Sequence, residues 1–180
     1  MTLGDILSAA LEQLGRTVDA QQQAKWRAKF TQIINEGLID IAEHLKPRRT
    51  DTLCVTDGEI DVRALPRECT KVLGVFRDGA AAAFSRGSET ARLRVCAEGE
   101  VQVQYRYIPK ALSSDSDEPE LPPRLHALLV TYVCAREYQS RDENTQRRSN
   151  PYFTQYMQAK ERARQDCGEP ESCAITGVVW

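Results

Sequence analysis

"ARLRVCAEGEVQVQYRYI", Ala91 to Ile108, is the stretch whose reading decides the fold. Val101, Val103, Tyr105 and Tyr107 alternate with Gln102, Gln104 and Arg106, the period of two that sets successive side chains on opposite faces of a strand. Leu93 and Val95 carry the same alternation ahead of a turn signal at Glu98-Gly99. Reading backwards, "DTLCVTDGEIDV" (51–62) sets Leu53 and Val55 before an Asp57-Gly58 turn and Ile60 and Val62 after it, which predicts a short hairpin. "CTKVLGVFRDGAAAAF" (69–84) adds a strand, a turn at Asp78-Gly79 and a weaker strand. Residues 50–108 are therefore expected to form one small antiparallel sheet.

On both sides of this region the period becomes helical. Ile6, Leu7, Ala10, Leu11 and Leu14 predict a helix over 3–15, with Thr2 as N-cap and Gly15 closing it. A second helix, 20–46, opens near Asp19, with Gln22 reaching back in a box-like arrangement. It carries one apolar stripe, Trp26, Phe30, Ile33, Ile34, Gly37, Leu38, Ile41 and Leu45, until Pro47 ends it. Beyond the sheet, Lys110 to Pro123, "KALSSDSDEPELPP", is acidic and rich in Ser and Pro, so 110–121 reads as a solvated loop; the glycine and closing glutamate of a calcium loop are missing. Pro122 and Pro123 then open a helix over 122–140 through Leu125, Leu128, Leu129, Tyr132 and Val133. Asn150 caps a fourth over 151–166, whose apolar side reads as Tyr152, Phe153, Tyr156 and Met157. The expected fold is α+β, mainly α. It is a four-helix core of two N-terminal and two C-terminal helices, with an inserted small antiparallel sheet and an extended C-terminal tail. One domain covers 1–167 and the tail covers 168–180.

Composition sets further bounds. With 180 residues, 41 % apolar, 28 % charged and a net charge of −2, the chain suits one globular core and has no overall attraction to nucleic acid or anionic membranes. The start, "MTLGDILSAAL", lacks a basic n-region and carries Asp5, so it reads as an amphipathic helix rather than a signal peptide, and the chain is expected to be made in the cytoplasm. Six cysteines, Cys54, Cys69, Cys96, Cys134, Cys167 and Cys173, show no CxxC spacing; free thiols are expected, with no metal and no cofactor.

Catalytic signatures are missing too. His126 lies eight residues before Cys134 on one helix, roughly 12 Å along its axis, too far for a base and its nucleophile. "GVFRDGA" (74–80) has phosphate-loop glycine spacing without the following Lys, and it sits in a strand region. No catalytic residue is assigned and the chain is not expected to be an enzyme. Basic clusters at Lys46–Arg49, "KPRR", and at Arg147-Arg148 fit helix-end charge compensation and solubility better than a DNA-reading face, for no basic stripe runs along a helix. A small helical DNA-binding or regulatory interaction module remains the alternative reading of these residues.

The order and wording of these segments resemble the head-to-tail adaptor, or connector, proteins of tailed bacteriophages. The resemblance runs from Leu3 to about Gln165 through "DILSAALEQLG", "FTQIINEGLIDIAEHLKPRR" leading into "DTLCVTDGEIDV", "VQVQYRYIP", "SDEPELPPRLHALLVTYVCAREYQ" and "YFTQYMQAKERAR". It implies a structural protein of the virion, at the head-tail junction. Such proteins form homo-oligomeric rings, commonly of twelve subunits, below the portal protein. The ring joins capsid to tail or head-completion proteins and extends the channel, through which DNA passes without sequence-specific binding. Relatives grip the portal with a C-terminal extension.

That gives a sense to "CAITGVVW", Cys173 to Trp180, which follows the helix-breaking spacer "QDCGEPES" (165–172). Free ends are usually polar, yet Ile175, Val178, Val179 and Trp180 favour a pleated, half-buried surface. Ala174, Ile175, Val178, Val179 and Trp180 are the expected partner-binding residues, toward the portal or a neighbouring subunit. A fold-back onto the chain's own sheet is the competing reading.

Overall fold

The computed structural model describes residues 1–16, 19–139 and 150–166. Its helices are α1 (Leu3–Gln13), α2 (Ala20–Leu45), α3 (His126–Gln139) and α4 (Pro151–Asp166). Its strands are β1 (Arg48–Cys54), β2 (Glu59–Asp61), β3 (Cys69–Arg77), β4 (Ala80–Ala82), β5 (Phe84–Arg86), β6 (Arg92–Val95) and β7 (Glu100–Tyr107).

Local chemistry sets the helix ends. Thr2 closes a capping box: its hydroxyl accepts from the Asp5 amide, and the Asp5 carboxylate accepts from the Thr2 amide at 2.9 Å. Asn150 caps α4, accepting from the Phe153 amide at 3.1 Å while its side-chain amide donates to the Ala135 carbonyl at 2.9 Å, which ties the helix start to α3. α2 stops where Lys46 turns left-handed at φ 53° ahead of Pro47. The expected Asp19-Gln22 box rests partly on the Gln22 side chain, which lies outside the described residues.

α3 packs against α1, α2 and α4. Leu3, Ile6 and Leu11 of α1, Phe30, Ile34, Leu38 and Ile41 of α2, Leu129 and Val133 of α3, and Tyr156 and Ala163 of α4 share one core with Leu112 and Leu121 of the connection. Gly37 lets α2 approach α3, for a Cβ there would stand 2.7 Å from Cδ1 of Tyr132. Gly37→Leu is therefore expected to lower stability by about 3 kcal/mol, because overpacking outweighs the ~1 kcal/mol of helix propensity gained. Urea denaturation checks it: a variant as stable as the wild type refutes the close approach.

The β region corrects the sequence reading. The chain is α+β, but it is not a mainly α four-helix core with one small sheet inserted. Among the described residues seven strands form two antiparallel sheets, ordered β1-β7-β3-β4 and β2-β6-β5. The sheets share a core of their own, built from Ile60, Val75, Val95, Val101, Val103 and Tyr105. Nor does the helical core consist of helices alone, since Leu112 and Leu121 complete it.

The expected hairpin over 51–62, and the pairing that the turn at Glu98-Gly99 suggested, are also corrected. Beyond an isolated Thr56–Glu59 bridge, β1 pairs not with β2 but with β7, from Arg48 opposite Arg106 to Cys54 opposite Glu100. β6 pairs with β2 and β5, and not across Glu98-Gly99 with β7. The glycines do turn, with φ 75° at Gly58 and 78° at Gly99, but each turn carries the chain from one sheet to the other. Of these three turn signals Asp78-Gly79 alone joins strands that pair, β3 and β4. A positive-φ turn specifies a reversal of direction, while the ladder partner is set by which faces bury together.

The two bodies are joined by the chain at Pro47 and Ile108, and by Arg67. The Arg67 guanidinium grips Glu120 of the connection in a fork, with Nε donating at 2.9 and 3.0 Å.

Candidate functional site

Residues that could have carried chemistry serve structure instead. His126 is buried; its Nδ1 accepts from the Met1 amino group and its Nε2 donates to the Leu121 carbonyl, each at 2.9 Å. Burial pushes the Cys134 thiol up to about 11, which leaves almost no thiolate at neutral pH. The carboxylates of the acidic loop fix the connection. Asp117 accepts from the Ser113 and Ser114 amides at 2.8 Å and is held below the ordinary carboxylate value by those bonds. Asp115 pairs with Arg27, and Glu120 with Arg67. Among the described residues no group of His, Cys, Asp and Glu could hold a metal ion, and no helix is long and apolar enough to cross a membrane.

Two charge clusters, each with one buried charged member, Glu137 or Lys160, brace the helices. Glu137 on α3, 3 % exposed, accepts from Arg16 at 3.2 Å and from Lys29 at 2.6 Å, and the Arg16 guanidinium stacks 3.8 Å from the centre of the Trp26 ring. The Trp26 stripe is thus core packing joined to a charge clamp. Asp40 on α2 accepts from Tyr156 and, at 2.6 Å, from Lys160, both on α4. Burial, the largest single influence, opposes the Asp40 charge, but the hydrogen bonds from Lys160 and Tyr156 together with nearby positive charge hold its carboxyl below the usual value. Burial and the same carboxylate push the Tyr156 phenol strongly upward. Sequence reasoning missed both clusters, because their bonded members lie more than a hundred residues apart.

A groove of about 270 Å³ lies between the end of α2 and the first sheet. Ile39, Ala42, Tyr107 and Ile108 provide its apolar lining, and Glu43, Lys46, Lys71 and Arg106 its charges. Register explains those cations: Arg48 stands opposite Arg106, and Arg106 opposite Lys71, so three like charges form one row across three strands. The row takes the Lys46–Arg49 cluster only in part, and sequence reading had no access to it. Across α2 from the groove, α4 exposes Phe153 (42 %) and Met157 (44 %), while Tyr156, Lys160 and Ala163 are buried. The expected apolar side of α4 is therefore split: the core takes Tyr156, and two of its large apolar side chains face solvent. Arg147-Arg148, Cys167, Cys173 and the expected partner-binding residues Ala174, Ile175, Val178, Val179 and Trp180 lie outside the described residues.

Such a site offers surfaces for other macromolecules and braces that keep them rigid. The SU10 adaptor protein family matches residues 1–170. The chain belongs to that family. It is a phage head-tail adaptor, a structural component of virion assembly. No curated protein matches it. For an adaptor, braces such as Glu137 and Asp40 have a mechanical sense. Charges fixed between helices resist shear that a purely apolar contact, being non-directional, would permit.

Proposed function

We propose that this adaptor forms a homo-oligomeric ring below the portal, joins capsid to tail or head-completion proteins, and extends the channel through which DNA leaves. Residues 1–167 act in it as a single domain, and 168–180 as an extended arm that attaches the subunit, through Ala174, Ile175, Val178, Val179 and Trp180, to the portal or to its neighbour. The family match over 1–170 carries the reading. It is supported by the near-neutral charge, since a channel wall dense in cations would hold phosphates and retard DNA. A ring also tolerates weak contacts, because closure makes every subunit bind on two sides at once.

The test is co-assembly. Mixed with the portal protein of its own phage, the adaptor is expected to co-sediment in many copies per portal and to appear as a ring in electron micrographs. Failure to join that portal under any ionic condition counts against the reading.

A further inference from the structure

We propose that α4 of one subunit seats Phe153 and Met157 in the groove beside Ile39 of the next, and that this is the contact by which subunits succeed one another around the ring. The inference rests on the ring reading above and names the surfaces that close it.

Phe153, Met157 and Glu161 follow one another at intervals of four along α4 and are 42 %, 44 % and, for the Glu161 side chain, 47 % exposed, with Glu161 also meeting His44 at 3.3 Å and Arg164 at 3.4 Å in its own subunit. Residues at that spacing share a helix face, so the row reads apolar, apolar, acidic over about 12 Å. Along the groove, Ile39, Ala42 and Lys46 give apolar, apolar, basic over about 10 Å. Lys71 and Arg106 reinforce the basic end. The two rows match in length and in the order of their character, and the three cations of the groove outnumber its one carboxylate, Glu43, so its net charge is opposite to that of Glu161. Ile39 is itself 41 % exposed, so this face of α2 has an apolar side chain left to cover.

Placement argues for a second copy as the occupant. Asp40 and His44 turn toward α4, whereas Ile39, Ala42 and Lys46 lie roughly 150° away around the same helix, at about 100° per residue. A subunit therefore carries the ridge and the groove on different sides and cannot join its own. When a patch fits a pocket elsewhere on the same molecule, the contact is head-to-tail and repeats until it closes or runs on as a filament. Two side chains make a small contact, consistent with a dilute monomer that multimerises only at high concentration or on a template.

The experiment uses two full-length variants, Phe153→Ser with Met157→Ser on the ridge and Ile39→Glu in the groove. Their circular dichroism and melting curves should match the wild type, since the altered side chains are well exposed. In sedimentation over a concentration series, and on the portal, each variant alone should associate about ten- to a hundredfold more weakly than the wild type. Mixed together, they should form one-to-one pairs and nothing larger, because each pair retains a single intact contact. A photo-reactive amino acid replacing Met157 should crosslink to the peptide around Ile39 of another copy, a readout that does not depend on the variants' stability. If the wild type builds rings on its portal and both variants do so equally well, or if the crosslink falls elsewhere, the ring stands and this contact is wrong. If the wild type never multimerises even with its portal, both readings fall.

Discussion

Tyr156→Ala is expected to lower the unfolding free energy by about 4 kcal/mol, and Tyr156→Phe by about 1.5 kcal/mol. The ring is 1 % exposed and lies 5.0 Å, centroid to centroid, from Tyr132, so truncation to Ala opens a cavity at the seam of α2, α3 and α4. It also removes the hydroxyl that donates to Asp40. The Phe variant keeps the ring and loses only that donor, and Lys160 remains at 2.6 Å to hold the carboxylate. Chemical denaturation at neutral pH separates the two contributions. Equal losses for Ala and Phe would mean that the hydroxyl, and not the ring, carries the effect.

The same site gives stability a pH dependence of known sign. The Asp40 carboxyl titrates lower when folded than when unfolded, so the unfolded chain binds the proton more readily. Its contribution is complete above the ordinary carboxylate value and is lost as pH falls through the depressed folded value. In Asp40→Asn this part of the acid sensitivity should vanish, while Lys160, 8 % exposed, loses its counter-charge and destabilises the variant at neutral pH. An Asn variant with an unchanged acid-unfolding profile would show that other carboxylates dominate.

Helices were legible in the sequence because their signals are local. The α1 stripe, the Thr2 cap and the Asn150 cap each involve residues within one or two turns. Strands were legible as segments for the same reason: Val101, Val103 and Tyr105 alternate inward as read. Their partners were not. Gly58 and Gly99 signal a turn equally well whether the next strand pairs with the last one or crosses to another sheet, and burial in the shared core decides between these. The cation row arises from register between segments far apart in sequence, as the charge clamps arise from helix packing. On α4 the helical period was right but the chosen face was right only for Tyr156 among its fully buried residues. The buried stripe runs through Tyr156, Lys160 and Ala163, and a lysine is an unexpected core residue until Asp40 is known to meet it.

Deleting Ala174 to Trp180 is expected to abolish stable attachment to the portal or to the neighbouring subunit while shifting the melting temperature by less than about 2 °C, the response of a domain that loses well under 1 kcal/mol. Among the described residues two cores are already assembled, one on residues up to Ala163 and the other within the β region, and they are expected to stand without the segment. Exposed to water, Ile175, Val178, Val179 and Trp180 would each forgo roughly 1.5–3 kcal/mol of burial, which favours a surface on another molecule as their destination. Seven extended residues span about 23 Å, enough to add a strand to a sheet edge or to fill a groove. Alternation sends Ile175 and Val179 to one face and Val178 and Trp180 to the other, so both faces want cover, as for a strand enclosed between subunits. In the proposed ring each arm would need to contribute only modestly, because there would be as many arms as subunits and all would have to release together. Pull-down and sedimentation of the truncated chain with its portal give one reading, and its thermal melt gives the other. Normal assembly together with a stability loss of several kcal/mol would place the segment in its own subunit's core and refute the attachment role.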